Sequence, residues 1–250
     1  MDGTDTAKSE TFSLVVDHNK TSLREKTLDK LREAIISGYF KPGEKLIERD
    51  ICARTEVSRT SLREALRHLE SEGLVESRTG QGVFVRVLTR EDVREIYELR
   101  MALDAEATCR FAERASPQMR EQLKRIALEL RDVKSISAKS LPLNNEFFEV
   151  LYEGAGNKLS QRIIQSQRSR LTMLRALTLR SSTDARHRVI SADMADIADE
   201  VLNGSPDKAA KLCRAFVAGS LAFALEVYPK IETVDGGANE RPTRSYRSKE

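Results

Sequence analysis

The stretch that most constrains this 250-residue chain runs over residues 57–85. Within it Leu62, Ala65, Leu66 and Leu69 recur at i, i+3, i+4 and i+7, one apolar face of a helix over about 60–72 that Gly73 closes. Ser58 stands where an N-cap belongs. Two short β-type runs, 74–77 and 83–85, flank Arg78-Thr79-Gly80-Gln81-Gly82, a hairpin with a Gly-rich tip. Upstream, a short helix is expected over about 48–54, after the turn Lys41-Pro42-Gly43-Glu44. A longer helix over about 22–37 precedes it, from Leu23, Leu28, Leu31, Ile35 and Ile36, and stops at Gly38. Two short helices on a tight turn with a hairpin behind the second make a winged helix-turn-helix.

The polar side of the second helix carries the chemistry. Thr60, Arg63 and Arg67 project away from the apolar face, with Arg59 at the N-terminal end. A helix that docks one face and offers Arg and Thr from its first turns suits the DNA major groove, where Arg can bond guanine O6 and N7 together. On an isolated helix these residues would read equally as a solvated basic face; the complete helix-turn-helix and wing favours DNA. Net charge is only +3, but residues 20–90 hold 15 Lys and Arg against 11 Asp and Glu, so the excess sits in this module.

Over LREAIISGYFKPGEKL, IERDI, VSRTSLREALRHLESEGLV and TGQGVFV the chain resembles the N-terminal DNA-binding domain of the GntR family of bacterial regulators. The resemblance implies DNA contacts at Arg49, Ser58, Arg59, Thr60, Ser61 and Arg63, with a wing tip at Thr79, Gly80, Gln81 and Gly82. It also implies that Glu56 departs from a Gly usual in the helix-turn-helix turn. A non-Gly residue in left-handed geometry costs on the order of 1 kcal/mol, and a carboxylate there lies close to phosphates.

Beyond residue 88 the pattern is helical throughout, about six helices punctuated by Thr89, Ser116-Pro117, Leu141-Pro142, Gly154 to Asn157 and Asn203 to Pro206. IYELRMALDAEA, NNEFFEVLYEGAGNKL and ADMADIADEVLNGSPDKAAKLCRAFV resemble the helical FCD domain of the FadR subgroup, and six helices would lean toward its VanR-like branch. The expected fold is therefore mainly α. It comprises a winged helix-turn-helix over 20–87 and an all-α ligand-binding and dimerisation bundle over 88–230. Polar tails at 1–19 and 231–250 are expected to be disordered.

Many domains of that type bind a metal through an Asp and a His one turn apart and two later His. Those positions fall here on Asn144, Phe148, Met194 and Phe216, a set that cannot replace imidazole and carboxylate. No metal site or other cofactor is expected. His187 is the one histidine on a neighbouring helix, two turns before Met194. The same four residues imply a largely apolar effector pocket with Asn144 as anchor, suited to an apolar or aromatic ligand that could be acidic. Arg100 is either the partner of an acidic group on that ligand or the structural partner of Asp104 or Glu146. The alternative for the cavity is a core filled by its own side chains, with no effector.

Composition narrows the remaining classes. Forty per cent hydrophobic and 32% charged residues describe a globular chain, and no apolar run reaches membrane-spanning length. Cys52, Cys109 and Cys213 form no C-x-x-C pair, so reduced thiols and a cytoplasmic location are expected. An enzyme is not expected: there is no phosphate loop, metal-ligand cluster or catalytic triad, and Gly80-Gln81-Gly82 is a lone G-x-G in a hairpin. The partners implied are a double-stranded DNA operator, a second copy of the chain and a small-molecule effector. As a homodimer the regulator, repressor or activator, would read a short inverted repeat. Ligand binding would reset its DNA-binding domains through the linker near residues 86–90.

Overall fold

The computed structural model describes residues 21–227, so the tails expected at both ends lie outside it. The described chain divides into two compact units at Arg86/Val87.

In the first unit, α1 (Thr21–Ile36) packs on α3 (Arg59–Ser71), with α2 (Glu48–Thr55) against α3. Leu31 and Ile35 of α1, Ile51 of α2, and Leu62, Ala65, Leu66 and Leu69 of α3 are buried together, the face that helical spacing predicts. Arg32 on α1 donates through Nε to Glu72, just past α3, at 2.9 Å and ties the two helices at the edge of the core. A three-stranded antiparallel sheet follows in the order β1 (Lys45–Leu46), β3 (Gly82–Val85), β2 (Val75–Arg78). Leu46 is buried although its strand is too short to show a period; it stands opposite Val83 in the sheet. Gly80 at the hairpin tip has φ +71°, a conformation that costs glycine little.

The second unit is all helix. The long α4 (Arg90–Arg114) packs against α6 (Ser140–Ala155) and α10 (Pro206–Val227), and α5 (Pro117–Arg131) lies against α9 (Asp184–Asn203). Its starts are those the punctuation predicts. Thr89 and Asp92 form a reciprocal capping box, and Ser116 caps α5 with Pro117 in its first turn. Gly154 allows α6 to approach α4: a Cβ there would stand 2.3 Å from the Phe111 ring.

The count of six helices is corrected to seven. The segment after Asn157 is two helices, α7 (Lys158–Ser166) and α8 (Arg168–Arg180), broken at Gln167 without Gly or Pro. The leaning toward the VanR-like branch rested on the lower count. Sequence punctuation misses this break because it marks where helices must stop, whereas here tertiary packing turns the chain.

Candidate nucleic-acid interface and buried cavity

On the first unit α3 is fixed from below and open above. Ser58 Oγ accepts the Ser61 N–H at 3.1 Å and lies 2.9 Å from Ser61 Oγ, so both serines are occupied in ordering the first turn. Arg59, Thr60, Arg63 and Arg67 are exposed along one side of the helix. Arg59 and Arg67 make no ion pair among the described residues, whereas Arg63 donates through Nε to both oxygens of Glu48, at 3.1 and 3.0 Å. The Arg49 side chain is 83% exposed and, among the described residues, pairs only with its neighbour Asp50, at 3.1 Å. The tip residues Thr79, Gly80 and Gln81 are exposed, and the Gln81 N–H closes the turn onto the Arg78 carbonyl at 2.9 Å. Beside the tip, Arg78 stacks on Phe84, 4.3 Å from the ring centre. Glu56 takes φ +56°, ψ +22° as the C-cap of α2, the one positive-φ residue other than Gly among those described.

In the second unit a cavity of about 50 Å³ is bounded by α4, α6, α8, α9 and α10. The five residues expected there, Arg100, Asn144, Phe148, Met194 and Phe216, all line it. Phe148, Met194, Phe216, Ile190 and Phe223 form the apolar part of its wall, and polar residues complete it. Arg175, Arg186 and His187 face the same space, because α8 and the start of α9 close its side with polar residues. Arg100, 2% exposed, settles on the structural partner: its Nε donates to Asp104 Oδ2 at 3.0 Å, and Tyr152 Oη donates to Asp104 Oδ1 at 2.8 Å. Tyr97 and Phe148 lie against its guanidinium, each 5.0 Å away. Glu146, the other acid considered for Arg100, pairs with Arg125 at 3.4 Å. A second cavity, of about 220 Å³, lies across Phe148 and Arg175 between α4, α6, α7 and α8.

Sequence reasoning missed Glu48, Arg175 and Arg186, and passed over His187. Arg175 leaves a trace: it shares a helical stripe with Leu171, Leu174 and Thr178, so an arginine stands on an inward face. His187 and Ser191 likewise begin the buried stripe of α9 that continues through Met194, Ala198 and Val201.

Residues 23–85 match the family model described as bacterial regulatory proteins, gntR family, and residues 95–219 match the FCD domain. The chain belongs to the GntR family. This GntR regulator, with its FCD domain, is a transcriptional regulator and not an enzyme. It is 30% identical over 217 residues to the Nta operon transcriptional regulator of Aminobacter aminovorans, spanning 85% of this chain and 97% of that protein. Over 56 residues, 22% of each chain, it is 48% identical to the Uxu operon transcriptional regulator of Escherichia coli K12. A GntR regulator from Rhodococcus sp. RHA1 superposes with a TM-score of 0.69 at 25% identity, over 84% of this chain and all of that one. The fold is shared with E. coli McbR/YncC, at a TM-score of 0.66 and 19% identity, over 83% and 97% of the two chains.

The metal that many FCD domains hold does not fit the residues of this GntR regulator. At its positions stand an amide, two phenyl rings and a thioether, and the cavity wall offers one imidazole and no carboxylate. Among the described residues no group of three His, Cys, Asp or Glu could hold a metal ion. No helix among them is long and apolar enough to cross a membrane.

Proposed function

We propose that this GntR regulator acts as a homodimer on a short inverted-repeat operator, each α3 reading one half-site, under the control of a small molecule bound in a metal-free cavity of the FCD domain. The observation that carries the DNA reading is the exposed row Arg59, Thr60, Arg63 and Arg67 on a helix whose other face is locked in the core. Arg59 and Arg63 are assigned to base edges, and Arg49, Ser58, Ser61 and Arg67 to the phosphates that set register. Thr79, Gly80 and Gln81 at the wing tip are assigned to the adjacent backbone or minor groove.

Affinity selection of genomic fragments by the purified protein, followed by sequencing, tests this reading. A few enriched fragments sharing an inverted repeat are expected, and no enrichment would contradict it. On such a site Arg59→Ala or Arg63→Ala should weaken specific binding at least ~30-fold. A lost bidentate base contact costs about 1–3 kcal/mol and occurs in both half-sites. The dimer should stay intact in sedimentation.

The small size of the cavity favours a second reading, a DNA-binding dimer whose pocket is filled and senses nothing. The two readings separate in a thermal-shift screen of metabolites, where a filled pocket gives no stabilisation with any compound.

A further inference from the structure

The side of the wing sheet turned away from the core is built around one aromatic ring. Strand alternation puts Leu46, Val75 and Val85 on the buried side, and Lys45, Glu76, Arg78 and Phe84 together on the other. Phe84, on the central strand β3, stands opposite Lys45 of β1 and Glu76 of β2. A cation reaches its ring from each neighbour. The Arg78 guanidinium lies 4.3 Å from the ring centre, and Lys45 Nζ lies 5.9 Å from it. Lys45 also leans toward the hairpin tip, since a Cβ at Gly82 would stand 3.3 Å from its Cε.

The charges on this face do not balance. Arg78 pairs with Glu76, through Nε at 2.9 Å and Nη2 at 2.8 Å, and its Nη1 makes no hydrogen bond among the described residues. Lys45 is exposed and makes no ion pair among them. Two cations therefore share one ring and one carboxylate, an arrangement that gains from an incoming anion. The ring adds order. A lysine or arginine that swings freely loses rotamer freedom when it binds, whereas one laid against a ring has lost part of it already. Arg78 also comes immediately before the exposed tip, Thr79-Gly80-Gln81, so the unbalanced charge lies beside it.

We infer that this outer face of the wing is a phosphate-binding surface, on which Lys45 and Arg78, ordered by Phe84, hold the DNA backbone beside the wing tip. The inference rests on the DNA reading above and adds two contacts to it. Both meet phosphate oxygens and carry no base sequence, so they hold any duplex alike. Glu76 fixes one edge of Arg78 and leaves Nη1 for the phosphate.

The test is the salt dependence of DNA binding by the full chain, read by fluorescence anisotropy on the selected operator fragment and on an unrelated duplex. Each lost phosphate contact lowers the slope of log affinity against log salt by about 0.9. Lys45→Met or Arg78→Met removes one contact from each protomer, so the slope of the dimer should fall by about 1.8 on both duplexes. The affinity lost between about 50 and 200 mM salt should then shrink roughly tenfold. Phe84→Leu keeps an apolar cover and both cations. It should leave the slope as it is and weaken both duplexes roughly fivefold, because the cations are no longer ordered. Three results would each overturn the inference: slopes unchanged in both cation variants, a loss confined to the operator, or wild-type affinity in Phe84→Leu. Because phosphate contacts ignore sequence, the inference and the operator reading part cleanly. A wild type that selects no operator, with slopes that still fall in both cation variants, upholds the phosphate surface and overturns the operator reading. An enriched operator bound with unchanged slopes does the reverse, and a wild type that binds no duplex overturns both.

Discussion

Arg63 in the first unit and Arg100 in the second are each held by one carboxylate, and the two pairs do opposite work. Arg63 reaches Glu48 in solvent, with its side chain 60% exposed, whereas Arg100 and Asp104 are 3% and 2% exposed between aromatic rings. In water the attraction is screened and the guanidinium stays available to another anion. In the bundle neither charge can return to water, so the pair becomes part of the architecture. The two kinds divide between the units: mobile charge on the exposed face of α3, and fixed charge beside the cavity of the helical bundle.

Asp104→Asn breaks the comparison at its strongest point. It leaves Arg100 buried and uncompensated and costs Tyr152 its carboxylate acceptor. A loss of about 3–5 kcal/mol is expected, read by urea denaturation of the full chain. A loss below about 1 kcal/mol would mean that the pair is hydrated, as the Arg63 pair is.

The two regions also differ in how far the sequence exposes them. The α3 face is legible because surface and core alternate on one helix, so Arg59 and Arg63 stand apart from Leu62 and Leu66 by periodicity alone. Asn144, Phe148, Met194 and Phe216 are found through the resemblance, and the structure brings all four to one cavity. Arg175 and His187 are harder, since periodicity says that a position faces inward and not which helices meet there. Their partners lie 30 residues away in Asn145 for Arg175 and on α6 and α10 for the cavity as a whole. The α7–α8 break is hidden for the same reason, as no local residue requires it.

The next largest effect concerns Glu56. Replacing it with Gly removes left-handed strain and should add about 1 kcal/mol to stability, whereas Glu56→Gln removes the charge and leaves the strain. If strain and charge act separately, only Gly raises the urea midpoint, and both variants bind operator more tightly than the wild type. Equal stability for all three proteins would show that the αL cap is comfortable with Glu.

His187 sharpens the contrast through pH. Burial holds its pKa below the ordinary histidine value of 6.5, and Asp184 only partly offsets this. The folded protein therefore prefers the neutral ring. The stability associated with it is complete above about pH 6.5 and is lost as pH falls from there through the depressed folded value. Melting the wild type and His187→Gln between pH 7.5 and 5 should show a steeper loss for the wild type. Parallel curves would place the ring in water.

The smallest effect on stability, and the most informative for recognition, is Glu48→Gln. An exposed pair contributes at most about 0.5 kcal/mol to folding, so the variant should melt with the wild type. DNA binding should nevertheless change in two directions. Glu48 takes Arg63 by its Nε, and the terminal amino groups of Arg63 make no other hydrogen bond among the described residues. On the reading proposed for Arg63, a hold from the side leaves the fork free to meet a base end-on. Losing the carboxylate removes a negative charge from the interface and should strengthen binding to unrelated DNA, with the gain shrinking as salt rises. Losing the aim should weaken binding to the selected operator, so the ratio of the two affinities falls. If operator and unrelated DNA instead gain equally, Glu48 is only a charge that opposes phosphates, and Arg63 finds its base unaided.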